Sequence, residues 1–433
     1  LATQPIHAIN SGPSMAPIAG RHYAQKEVSE PNAIIADTGG TTYDVSLVHR
    51  GRIPRTRETW IGQQFRGHMT GFPSIDIKSV GAGGGSIACV DQGGILRVGP
   101  QSAGAVPGPV CYNIGGTEPT LTDAALVLGY LDAEFFLGGA LKLHLESARS
   151  VIKNKVAGPL GFGIPEAAAA IVSVVTENMV QAISEITVNQ GIDPADAVLI
   201  GGGGAAGLNS TWIARRLGCP SVLIPETGAG LSAYGAMISD LSREYRTMFF
   251  TTSANWDEDG VNKVLGQLRN RCQAFVDGPG AGAIESSIEF SVEARYAGQV
   301  WEIEVPLATT VFNERADLSG LIKDFHAAHQ EIFAINDPDS IVEMVGWTSS
   351  VSCRLRKNIG SRLREIEAKS ITKSREIYFD GAEVTTPVYP LQSIPVSLAT
   401  EGPAIIETPF TTIVIDPAAR FYRSEHGSVM IMP

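Results

Sequence analysis

Cysteine is scarce: five residues in 433, at positions 89, 111, 219, 272 and 353, with no C-x-x-C pair. An odd, scattered set excludes the disulfide framework of a small secreted domain and the paired spacing of a structural zinc site. It fits reduced thiols in a cytoplasm. Charged residues are also few, 18% of the chain, and lean acidic, with a formal net charge of −12 and a pI of about 5.2. Phosphate backbones bind basic surface, so a general nucleic-acid partner is excluded. No apolar run approaches the roughly 18 residues that span a membrane, and no signal-peptide pattern is read. The chain opens mid-pattern on Leu1-Ala2-Thr3, so it is expected to be a segment of a longer protein.

Glycine, in contrast, is abundant at 47 residues, and hydrophobic residues make up 44% with a mean hydropathy of +0.08. Such a composition suits a large globular chain of two or three domains. The organising stretch is Ala33-Ile34-Ile35-Ala36-Asp37, then Thr38-Gly39-Gly40-Thr41-Thr42, then Tyr43-Asp44-Val45-Ser46-Leu47-Val48. It predicts a buried β-hairpin with a polar tip. Gly39 and Gly40 let backbone approach a ligand closely, and successive N–H groups in such a turn form an anion-binding concavity. Thr38, Thr41 and Thr42 add hydroxyls. Asp37, at the strand end, suits a Mg²⁺ ion held through water. A loop gripping the phosphates of ATP and an ordinary glycine turn explain the stretch equally well.

Residues 81–118 interleave glycine loops with apolar residues. They predict a hairpin around Gln92-Gly93-Gly94, and the 81–86 run reads either as packing or as a second phosphate loop. Their poverty in charge leads us to expect that 81–118, with part of 376–433, is buried by another subunit, the alternative being that these loops fold back over the chain itself. Thr122-Asp123 is expected to cap a helix over 123–131, with another over 145–158. A long helix opens at Pro165 and ends at Gly191. Asn178 and Gln181 near its apolar face read as interhelical hydrogen bonders. A strand at 196–200 runs into Gly201 through Gly207 and a helix to Leu217, an arrangement that presents bare N–H groups to a nucleoside. Gly202, Gly203, Gly204 and Ala205 are the candidate contacts. Small residues Ala233, Gly235 and Ala236 predict close packing of a helix over 231–241. Beyond it come a helix near 258–275, strands at 287–296 and 301–305, a helix over 316–332 and a strand at 341–355. His326 and His329 at i, i+3 lack a third ligand, which favours a structural role. Linker-like sequence spans Lys357 to Ser361.

In combination and order, several motifs resemble the hydantoinase A / 5-oxoprolinase / acetone carboxylase family. They are Asp37-Thr38-Gly39-Gly40-Thr41-Thr42-Tyr43-Asp44, Val80 through Ile87, Val98 through Ala105, Pro107 through Tyr112, Leu121-Thr122-Asp123-Ala124, Gly201 through Gly207, Ala294 through Gln299 and Glu401 through Glu407. The resemblance implies an α/β, actin-like (sugar-kinase-like) ATPase fold, here incomplete at its N-terminus. The expected domains are an ATPase domain over 1–250, an α+β domain over 251–360 and a small β-rich domain over 361–433. It implies ATP and Mg²⁺ as cofactors, with Asp37 catalytic and metal-holding. Thr38, Gly39, Gly40, Thr41, Thr42 and Gly202 through Ala205 would bind the nucleotide. It also implies a B-type (hydantoinase B-like) partner subunit in a hetero-oligomer. The family's chemistry is phosphorylation of a carbonyl oxygen, by which Tyr43 points first to a ketone carboxylase subunit. A cyclic-amide hydrolase and a non-catalytic scaffold subunit are the alternatives.

Overall fold

The computed structural model describes residues 11–56, 58–61, 66–71, 74–356 and 373–433. The chain forms two compact units, one of Leu1–Ser239 with Ser361–Pro433 and one of Asp240–Gly360. The expected linker at 357–361 lies outside the described residues.

The first unit is built on an eight-stranded sheet. Its order is Thr400–Glu401, Arg420–Arg423, Val429–Met432, Val222–Ile224, Val198–Gly202, Ala33–Thr38, Tyr43–Val48, Ile77–Val80. Ala33–Thr38 lies inside the sheet, parallel to Val198–Gly202 and antiparallel to Tyr43–Val48. Its continuous apolar run is what a strand buried on both faces requires, and Ala33 through Ala36 are all buried. The register sets Asp37 opposite Gly202. A second sheet of Lys373–Phe379, Ala382–Pro390, Ala404–Glu407 and Thr412–Ile415 belongs to the same unit. The sequence reading sets 361–433 apart as a domain. In the structure Val429–Met432 instead pairs with Val222–Ile224 in the main sheet, a non-local pairing that local pattern does not carry.

The helix Ile164–Asn189 is long and apolar enough to cross a membrane by length and composition, more than the sequence reading allowed. It is a core helix: Ile171, Val175, Met179 and Ile183 pack with Ile34, Val45 and Leu199. Asn178 donates to the Val98 carbonyl at 3.2 Å and Gln181 to Glu185 on its own helix. The helix Leu231–Ile238 is shorter than expected because Leu241 already pairs with Cys353 in a strand, Leu241–Thr252, that was not foreseen. Of its small residues only Gly235 faces a neighbour; a Cβ there would lie 1.9 Å from the Met15 carbonyl oxygen.

The second unit is a four-stranded antiparallel sheet, ordered Leu241–Thr252, Val342–Arg354, Glu285–Tyr296, Ile303–Pro306, with helices Glu258–Asp277 and Arg315–Phe333. Its core centres on Trp347, Phe312 and Phe325. Both histidines are engaged within it. His326 Nδ1 lies 2.7 Å from the Tyr296 hydroxyl, and His329 Nδ1 lies 2.6 Å from the Ile335 carbonyl oxygen. Among the described residues no group of His, Cys, Asp and Glu could enclose a metal ion.

Candidate nucleotide site

The hairpin forms as the sequence predicts, with its turn between Thr38 and Tyr43 closed by Gly39 N–H donating to the Thr42 carbonyl at 3.0 Å. Gly40, Thr41 and Thr42 are exposed at the tip, while Thr38 is buried. Thr42 Oγ1 donates to Asp44 at 3.4 Å, and Ser79 also bonds Asp44.

The 81–86 glycine run spends its Gly84 and Gly85 N–H groups on the hairpin turn, which favours the packing reading. Gly84 N–H donates to the Gly39 carbonyl at 3.1 Å and Gly85 N–H to the Gly40 carbonyl at 2.7 Å. These two donors hold the hairpin turn and are thereby taken up. Glycine is required here by close approach: a Cβ on Gly83 would sit 2.7 Å from the Gly39 oxygen. Residues 82–86 are therefore buried by their own chain, not by a partner, although Ile95 and Val106 in the flanking loops are exposed. The segment is fastened in turn by Thr122, whose hydroxyl donates to the Gly84 carbonyl at 2.8 Å. Thr122 is thus not the helix cap. Thr120 caps the helix Leu121–Val127, in a capping box with Asp123. Buried Asp123 also accepts from the N–H groups of Val110 and Cys111.

Asp37 stands at the end of its strand, where Ser232 Oγ donates to Oδ2 at 2.7 Å. Burial raises its pKa above the usual carboxylate range; the Ser232 bond opposes the shift and the Asp44 charge adds to it. Ser232 was missed by sequence reasoning, which saw its helix only as a packing element.

The Gly201–Gly207 run divides its work. Gly202 is buried strand, and a Cβ there would meet Leu231 at 2.4 Å. Gly203 turns the chain with φ +87°, its would-be Cβ 2.2 Å from the Thr38 carbonyl oxygen and 2.7 Å from Asp37 Oδ1. Its N–H donates to the Gly228 carbonyl, and Ala205 N–H to that of Thr38. These contacts bind the loop to the hairpin and bring Gly204 and Ala205 beside Gly39 and Gly40.

The four residues share the wall of a cavity of about 170 Å³. Apolar side chains line much of it, among them Phe135, Phe136, Leu208 and Phe410, with Tyr112 and Thr122 as polar members. Burial pushes the Tyr112 hydroxyl up to about 12, which keeps it protonated and able to donate. Two acids on the wall, Asp132 and Glu407, both pair with Arg375. Of the sequence candidates the cavity gathers Gly39, Gly40, Gly204 and Ala205, and Gly84 of the 81–86 run also lines it. Asp37, Thr38, Thr41, Thr42, Gly202 and Gly203 lie outside its lining. Tyr43, offered as a substrate hint, is wholly buried in the core, its hydroxyl without a hydrogen-bond partner, so it faces no ligand.

The hydantoinase/oxoprolinase profile matches residues 1–245, and that of the hydantoinase/oxoprolinase C-terminal domain matches 261–429. The chain is 38% identical to a caprolactamase subunit alpha of Pseudomonas jessenii, across 96% of this chain and 60% of the relative. It is 29% identical to an acetophenone carboxylase gamma subunit of Aromatoleum aromaticum, across 99% of this chain and 60% of the relative. The crystal structure of an ATP-dependent caprolactamase from Pseudomonas jessenii superposes with a TM-score of 0.85 at 36% identity, covering 99% of this chain and 62% of that one. The chain thus spans about 60% of the length of the relatives it matches.

Proposed function

The chain belongs to the hydantoinase/oxoprolinase family and has its actin-like ATPase-type α/β fold, and from that premise we propose that it is the ATP-using part of an enzyme that phosphorylates the carbonyl oxygen of a cyclic amide. One observation carries this reading. The exposed Gly39–Gly40 turn and the Gly204–Ala205 loop meet at a single cavity, beside a strand-end carboxylate oriented by Ser232. Backbone at both loops is stripped of side chains, so a nucleotide can lie close on it. Transfer breaks the bond between the terminal phosphoryl group and ADP and forms one to the substrate oxygen, which primes the ring carbon for attack by water. Positioning and charge stabilisation do most of the work in such a step.

Asp37 fits a hard cation: it is an oxygen donor near the end of its strand, next to the hairpin turn, with a second carboxylate, Asp44, near enough to perturb it. Asp37 would hold Mg²⁺ through water, and the ion when bound supplies positive charge for the transferring group. Thr41 and Thr42 offer hydroxyls at the exposed tip. The remaining chemistry falls to a partner subunit, which we take to be of the B type; the subunit names of both relatives support a complex.

The greater identity to the caprolactamase subunit supports an amide acceptor over a ketone, and the core position of Tyr43 removes the residue hint toward a ketone. Ketone carboxylation is the second reading, favoured by the match to the acetophenone carboxylase subunit along 99% of the chain. The full-length protein with its partner should hydrolyse ATP when given a lactam, hydantoin or 5-oxoproline, and release the ring-opened acid without bicarbonate. Turnover of a ketone that requires bicarbonate would establish the second reading, and no ATP hydrolysis with either would refute both.

A further inference from the structure

We propose that Phe410 is the side chain against which the planar base of the nucleotide lies, so that a turn near the C-terminus distinguishes a nucleotide from a bare polyphosphate. The inference rests on the nucleotide reading above and deepens it.

Phe410 sits on the turn joining strands Ala404–Glu407 and Thr412–Ile415. That turn is rigid. Thr408 Oγ1 accepts from the N–H groups of Phe410 and Thr411 at 3.2 and 2.9 Å, and Thr408 N–H donates to the Thr411 carbonyl at 3.0 Å. It is also fastened to the glycine loop: Thr411 Oγ1 donates to the Gly204 carbonyl at 3.0 Å. The strand beyond presses on the same loop, since a Cβ on Gly207 would lie 2.3 Å from the Thr412 carbonyl oxygen. The backbone at Phe410 is thereby held relative to Gly204, yet the residue is 63% exposed. A large aromatic left uncovered on a pinned turn, at the wall of a cavity it shares with Gly39, Gly40 and Gly204, is a platform awaiting a planar partner.

The cavity's size and charge define that partner. At about 170 Å³ it is of the order of the engineered apolar cavity, about 150 Å³, that takes up benzene. It therefore suits one flat ring system and not a whole nucleotide. The wall acids Asp132 and Glu407 share one cation, Arg375, so the lining offers no free positive charge to an anion. A neutral heteroaromatic base with a π-face meets these conditions, and stacking on an aromatic side chain is the usual way such a base is held. The phosphates would then extend toward the Gly39–Gly40 turn, which lines the same cavity.

Titration calorimetry on the full-length protein tests this with ATP and inorganic tripolyphosphate as probes. Phe410→Ala should weaken ATP roughly tenfold or more, leave tripolyphosphate affinity unchanged and preserve the circular dichroism spectrum; Phe410→Tyr should restore ATP binding. Unchanged ATP affinity in Phe410→Ala, or equal losses for both probes, would overturn the assignment. A wild-type protein that binds tripolyphosphate but gains nothing from the nucleoside overturns it as well. One that binds neither probe removes the nucleotide reading itself.

Discussion

Ser232 donates its hydroxyl hydrogen to Asp37 Oδ2 at 2.7 Å, across a sequence separation of 195 residues. Burial holds the Asp37 pKa up and this bond draws it back. Ser232→Ala removes only the opposing contribution, so the pKa should rise further. The acidic limb of the kcat/KM profile for ATP hydrolysis should then move to higher pH, with the plateau rate little changed. An unmoved limb would separate Asp37 from the rate-governing ionisation.

Asp37→Asn should lower ATP turnover by about 100-fold or more, the scale on which a positioned electrostatic group is felt, without unfolding the chain. The sign of its stability effect follows from linkage. The folded state binds the Asp37 proton more tightly than the unfolded state, so unfolding free energy falls as pH rises from the unfolded carboxylate pKa through the folded one. Asparagine carries no such slope. At pH 7 the variant should melt at or above the wild-type temperature, and thermal scans beside ATPase assays will show both effects.

Two glycine substitutions should behave oppositely. A Cβ on Gly40 meets nothing within 4 Å, so Gly40→Ala should stay within about 0.5 kcal/mol of wild-type stability while weakening nucleotide binding. Gly203 has φ +87° and faces the Thr38 carbonyl oxygen at 2.2 Å. Gly203→Val should therefore cost about 1–3 kcal/mol or more in folding, whatever it does to the ligand. Denaturation curves paired with nucleotide titrations check both; a Gly40→Ala variant with undiminished affinity removes the phosphate-turn assignment.

Arg375 joins Glu407 and Asp132 and also donates to the Gly129 and Tyr130 carbonyls. Arg375→Met leaves two part-buried acids without their cation and should destabilise the first unit by about 3 kcal/mol. Adding Glu407→Gln should recover part of that loss. Chemical denaturation of the single and double variants measures the coupling, and simple additivity would show that the pair does not act as a unit.

How much of this was legible beforehand can be argued from the hairpin. Ala33–Thr38, Tyr43–Val48 and the glycines between them are local pattern, an apolar run, a turn and a second run, and they appear where that pattern puts them. The helix Ile164–Asn189 is similar, with a periodic face, a proline near its start and a glycine past its end. The hairpin over Ser86–Val90 and Leu96–Ser102 also follows from turn residues flanked by apolar ones.

What the sequence by itself determined is therefore the locally patterned elements, the family they resemble and the glycine loops where a nucleotide can come close. These depend on neighbouring residues, whose spacing and backbone freedom are written in the chain. Only the tertiary structure decided which glycines serve a ligand and which serve the fold. Gly83, Gly85 and Gly203 are demanded by carbonyl oxygens from distant segments, whereas Gly40 and Gly204 are left open. It also placed Ser232 on Asp37, carried Phe410 and Thr411 to Gly204, and sent Tyr43 into the core. Each of these depends on contacts between residues far apart in sequence, and no local period or motif records which distant surface a side chain will meet.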